Sequence, residues 1–96
     1  MHAIETTITI GDHTEVEVIK YAFENQEEVI EFLNDYEHSV LDRMYEELNK
    51  LGDRTSAILL PHNRKALRRH VKGTSRKDGR EPIEGSIEVY VHYVAA

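Results

Sequence analysis

One unbroken helical pattern constrains how this chain can fold. In NQEEVIEFLNDYEHSVLDRMYEELNKLG, Val29, Leu33, Tyr36, Val40, Met44, Leu48 and Leu51 recur at steps of three and four residues, and Ile30, Leu41 and Tyr45 widen the stripe. That period sets them along one side of an α-helix over residues 26–51. Asn25 stands as its N-cap, Glu28 three residues later completes a capping box, and Glu27 and Glu28 suit the positive end of the helix dipole. Gly52 occupies the place of a left-handed C-terminal cap. At 1.5 Å per residue such a helix is about 39 Å long. That exceeds the width of a compact domain of 96 residues, so an overhanging end predicts a partner, with a homodimer as the simplest form.

Alternating segments surround the helix. AIETTITI sets Ile4, Thr6, Ile8 and Ile10 against Glu5, Thr7 and Thr9, the period-two pattern of a half-buried strand. After the turn GDHT, EVEVIKYAF returns with a change of phase: Val16 and Val18 share one side, Ile19, Tyr21 and Phe23 the other. A bulge near Val18 and Ile19 would reset the side chains. TSAILL reads as a short buried strand ending at Pro61, and SIEVYVHYVA alternates strictly, with Ile87, Val89, Val91 and Tyr93 opposing Glu88, Tyr90, His92 and Val94. Between them, Asn63 caps about two turns of helix in RKALRRHVK, Gly73 stops it, and residues 73–85 form a long loop. The expected fold is a single α+β domain over 1–96 in the order ββαβαβ. An antiparallel sheet of about four strands carries one long helix on one face and a short basic helix at an edge.

Charge supplies the functional pointer. The chain is acidic, with net charge −6, yet eight of its twelve Lys and Arg residues fall within residues 62–80. Residues 1–60 balance at −10, residues 61–80 at +7, and the remainder at −3. On a helix, Ala66, Leu67, His70 and Val71 would dock while Arg64, Lys65, Arg68, Arg69 and Lys72 point together into solvent, with Arg76, Lys77 and Arg80 extending the array along the loop. Arg64 and Lys65 would sit unfavourably in the helix's first turn unless a phosphate bound there. Those eight cations form the candidate anion-binding set, and the partner is then RNA, DNA or another phosphate-bearing ligand. The same cations also complement an acidic surface, whether the chain's own helix or another protein. The sheet face bearing Thr7, Thr9, Tyr90, His92 and Val94 is a second candidate contact, suited to an adaptor or inhibitor that docks on a protein.

Other classes find little support. With no cysteine, disulfides and thiolate metal sites are unavailable. No apolar run approaches the ~20 residues of a membrane span, and MHAIETTITI lacks the pattern of a signal peptide, so a cytoplasmic protein with no membrane partner is expected. The six histidines are scattered without metal-ligand spacing, and neither a P-loop nor a dinucleotide fingerprint is present, so no metal and no cofactor is implied. Asp12, His13 and Glu15 in GDHTE belong to a polar turn. One enzymatic alternative can be assembled, a metal-free ribonuclease using His62, His70 and His92 with Arg68 and Arg69 around the phosphate. Without a catalytic signature, binding without catalysis is the expectation.

Overall fold

The structure is a computed structural model describing residues 2–21, 23–61 and 67–93. Its elements are β1 (His2–Ile10), β2 (His13–Tyr21), α1 (Gln26–Asn49), β3 (Arg54–Leu60), β4 (Arg68–Arg76) and β5 (Ile83–Tyr93). All neighbouring strands pair antiparallel in one five-stranded sheet of order β2-β1-β5-β4-β3. The α+β class and the long helix are as expected. The strand count is five, and the order of elements among the described residues is ββαβββ.

Helix α1 begins as its sequence dictates. Asn25 Oδ1 accepts the Glu28 N–H at 2.9 Å, and the Glu28 carboxylate reaches back to accept the N–H of Glu24 at 2.8 Å. The first bond pairs a donor that the helix cannot satisfy internally, while the second reaches the residue before the cap, one place earlier than in the expected capping box. At the other end the cap is Lys50 in right-handed conformation, and Leu51 N–H bonds Leu48 O at 3.0 Å. Gly52 has no positive φ, so the expected left-handed cap is absent. A Cβ there would come within 2.8 Å of the Arg76 carbonyl, so Gly52 serves close passage of the chain beside β4.

The buried stripe Val29, Leu33, Val40, Met44 and Leu48 packs on Ile4, Ile8, Val71, Ile87, Val89 and Val91. Register explains this set: Ile4 pairs with Val91, Ile8 with Ile87, and Val71 with Ile87, all facing α1. Gly73 and Gly85 form a cross-strand pair directly beneath the helix. A Cβ on Gly85 would meet Ile10, Met44 and Leu48 within 3.3 Å, and one on Gly73 would meet Leu48 at 2.6 Å. Two missing side chains let the helix settle against the sheet. Strands β1, β2, β4 and β5, nine to eleven residues long at ~3.4 Å per residue, match a helix of 24 residues. Val29 in its first turns and Leu48 in its last are both fully buried, so α1 stays on the sheet along its length and does not overhang. The length argument for a dimer therefore falls away.

Three further expectations change. The β1–β2 register runs without interruption from His2↔Tyr21 to Ile10↔His13, so no bulge resets the phase. Val16 and Val18 face one side and Ile19 the other because β2 is the edge strand, where neither side must be wholly buried. β3 forms as expected but at the opposite edge, with Ile58 exposed. The basic helix is replaced by β4 across Arg68–Arg76. Leu67 enters it with φ 50, and its carbonyl accepts the Val91 N–H at 3.1 Å, which a continuing helix would not allow. The apolar residues of RRHVKGTSR fit a two-residue period as well as a helical one. Strand β5 then decides the matter, because its second edge needs a hydrogen-bonded neighbour. Its partner takes Gly73–Arg76 from the expected loop, leaving residues 77–82 as the connection. Residues 62–66, with Arg64, Lys65 and Ala66 of the expected helix, lie outside the described residues.

Candidate functional site: the open face of the sheet

Because β4 is a strand, its cations divide by alternation. Arg69, Val71, Gly73 and Ser75 face α1, whereas Arg68, His70, Lys72, Thr74 and Arg76 face away from it. Arg69 is thus 3% exposed and does not point into solvent. Its Nη2 donates to Asn34 Oδ1, and its Nε lies 3.6 Å from Glu37 Oε2. This one residue of the basic segment answers the chain's own acidic helix. His70, expected on a docking side, is half-buried on the open face opposite Glu88.

The other described cations do something else. Arg68 lies with its guanidinium carbon 5.3 Å from the centre of the Tyr90 ring, its direct cross-strand partner. Its Nε is 4.0 Å from the Glu88 carboxylate. Tyr90 and His92 stack with ring centres 5.4 Å apart and planes 23° from parallel. Thr7 and Thr9 come from β1 to the same face, through their pairing with Glu88 and Ser86. Four of the five residues of the second candidate surface therefore share one side with the cation row of β4. Val94, the fifth, lies outside the described residues.

Beyond this stack the face forms a hollow of 460 Å³ whose rim includes Thr9, Ser56, Lys72, Thr74, Glu84 and Ser86. Four hydroxyls, the Lys72 ammonium and the Glu84 carboxylate line it together with apolar surface from Ala57 and Ile58, and Gly73 and Gly85 are among its lining residues. Among the described residues no carboxylate lies within 4 Å of Lys72, Arg76, Lys77 or Arg80. Arg54 and Arg76 are directly paired across β3 and β4, an arrangement that destabilises a ladder unless an anion lies between the charges. Exposed Asp78 partly fills that role, its carboxylate 3.2 Å from Arg54. Sequence reasoning missed Arg54 and the hydroxyls. Their signal was available in the alternation of RTSAILL and RRHVKGTSR, once both are read as strands.

Other chemistry gathers less. No three His, Cys, Asp or Glu side chains among the described residues converge to hold a metal ion. His13 Nε2 lies 3.1 Å from Glu15 Oε1 on an exposed turn. Of the groups a ribonuclease would need, His70, His92 and Arg68 share the open face. Arg69 is on the other side, and His62 is outside the described residues. No helix among the described residues is long and apolar enough to cross a membrane.

In comparisons with known proteins, the chain matches no family model, no curated protein and no solved structure.

Proposed function

We propose that this is a non-enzymatic binding protein that engages single-stranded nucleic acid across the open face of its sheet. The observation that carries the reading is the Arg68–Tyr90–His92 stack, with Arg68 exposed and both rings half-buried, on the side of the sheet that α1 leaves bare. Sequence-tolerant binding to single strands needs aromatic faces for the bases and cations along the backbone. Tyr90 supplies the first, and Arg68, Lys72 and Arg76 the second, spaced about 13–14 Å apart along β4. The hydroxyl-rimmed hollow around Lys72 offers hydrogen bonds between the stack and the Arg54–Arg76 pair. Duplex is a poorer match, because its bases are stacked on one another and closed to Tyr90.

Fluorescence anisotropy with labelled single-stranded and duplex oligonucleotides tests this. Affinity for single strands should exceed that for duplex and should fall as salt rises, with a log–log slope near −0.7 per phosphate contacted. Tyr90→Ala should cost about 1–3 kcal/mol of binding, the worth of one stacked base. Arg68→Glu should weaken binding further by placing a carboxylate in the phosphate path. Failure to bind at low salt, or affinity indifferent to both substitutions, would overturn the reading. The rival reading, an adaptor or inhibitor docking on another protein, draws on the same face through Thr7, Thr9, Tyr90 and His92, and gains if oligonucleotides fail to bind.

A further inference from the structure

We infer that the outer edge of β2 is a self-association surface, on which a second copy of this chain adds its own β2 to make a continuous ten-stranded sheet. Among the described residues nothing pairs with that edge, which ends the sheet. Every residue from Gly11 to Lys20 is exposed. Val16 is 60% exposed, Val18 54% and Ile19 40%, an unusual concentration of β-branched apolar residues on an unpaired strand. Proteins ordinarily protect such an edge with a bulge, a proline, a short strand or inward-pointing charges. Here the register is regular over nine residues and there is no proline; the strand's charges are Glu15 and Glu17 on the α1 side, the latter facing Arg43, and Lys20 on the other. The inference is independent of the nucleic-acid reading.

Geometry and charge show how an identical strand fits this edge. The β1–β2 connection is a two-residue turn in which Gly11 has φ 58 and Asp12 does not have a positive φ, the sign pattern of type II′. Such a turn makes the flanking Ile10–His13 pair hydrogen-bonded. Alternation then turns the N–H and C=O groups of Thr14, Val16, Val18 and Lys20 away from β1, where a partner can reach them. A twofold axis normal to the sheet brings the second β2 antiparallel with the same face upward. Centring that axis on Glu17 sets Glu17 against itself, and centring it on Val16 sets Glu15 against Glu17. Centring it on Val18 opposes Val18 to Val18, Val16 to Lys20 and Glu17 to Ile19, with no like charges face to face. It also keeps a longer ladder than an axis at Ile19. Charge and hydrogen-bond parity thus select one register, and the Glu17 carboxylate retains Arg43, 3.9 Å away, on its own chain.

The test uses the full chain, which has no native cysteine. Light scattering across the micromolar range should show the mass rising toward twice 11.1 kDa, and Val18→Lys should return it to the monomer with an unchanged circular dichroism spectrum. In the selected register the two Val18 Cα atoms are hydrogen-bonded partners ~5.5 Å apart, within disulfide reach. Val18→Cys should therefore cross-link readily under mild oxidation, and Ile58→Cys on the opposite edge should not. A wild type that stays monomeric throughout overturns the inference. So does a dimer that Val18→Lys leaves intact, or equal cross-linking from both cysteine variants.

Discussion

Strand β4 carries two arginines side by side, and the pleat sends them to opposite sides of the sheet. Arg69 lies under α1 at 3% exposure, held by Asn34 and Glu37, whereas Arg68 lies over Tyr90 on the solvent side. The basic segment raised one question, whether it grips a partner or answers the acidic half of its own chain. The two faces answer it differently. Among the described residues of the segment, the covered side gives one cation, Arg69, to the helix, and the open side keeps Arg68, Lys72 and Arg76 directed away from α1. Cationic character is thus a property of one face, and neighbours in sequence share neither environment nor role.

Substituting the two arginines separately is the strongest way to break that contrast. Arg69→Ala removes a buried stem and a charge-assisted hydrogen bond, and should cost about 2–4 kcal/mol in urea unfolding. Asn34 and Glu37 reach water once it is gone, which keeps the cost below that of an abandoned buried charge. Arg69→Met should recover much of the loss, because the stem packing is kept while the charge and its desolvation are removed. Arg68→Ala should change stability by less than about 0.5 kcal/mol, as an exposed substitution does. Equal effects at the two positions would mean that the faces are not distinct. A double substitution meant to disable binding must therefore leave Arg69 alone.

What the sequence disclosed, and what it withheld, follows the same division. Helix α1 was legible because its signals agree: the stripe from Val29 to Leu48, the Asn25 cap and the acidic first turn. Strands β1 and β5 were legible through alternation, β2 through the turn before it though not its regular register, and β3 as a short apolar run, expected to be buried but lying at an edge. RRHVKGTSR was not, because its few apolar residues satisfy both periods and its cations fit either conformation. Only pairing with β5, a contact distant in sequence, settles it. With β4 went the aim of each cation, including the reversal of Arg69 and His70. The Tyr90, His92, Thr7 and Thr9 surface survived because it depends only on β1 and β5. The overhang expected from the helix's length does not follow, because strands of nine and eleven residues in β1 and β5 run about as far as its 24 residues.

A second pair of substitutions sharpens the contrast at the glycine step. Gly85→Ala directs a methyl group at Ile10, Met44 and Leu48, its nearest contact only 2.7 Å away. Part of that crowding involves side-chain ends that can turn, so the expected loss is about 1–3 kcal/mol, the usual cost of overpacking. Ser86→Ala, the next residue but on the open side, should fall within about 0.5 kcal/mol. A thermal melt resolves the two, since 1 kcal/mol shifts the midpoint of a domain this size by roughly 4–8 °C. A tolerated Gly85→Ala would mean that α1 sits farther from the sheet than the glycine pair implies.

The smallest effects belong to the open-face histidines, and they separate binding from catalysis. His92 stacks behind Tyr90, and His70 is half-buried beside Glu88. In a binding protein each contributes at most an ordinary contact, about 0.5–1.5 kcal/mol. His70→Ala and His92→Ala should therefore weaken single-strand binding by less than about tenfold, with His92 the more sensitive because it supports the Tyr90 ring. His70→Ala should also leave the melting midpoint nearly unchanged, since its side chain is not among those docked against α1. In a nuclease, loss of a general acid or base typically removes ~10²–10⁴-fold of the rate. Purified protein incubated with labelled RNA should leave it uncut. Cleavage by the wild type that disappears in either histidine variant would turn the open face from a binding platform into a catalytic one, with His70 or His92 as its acid or base.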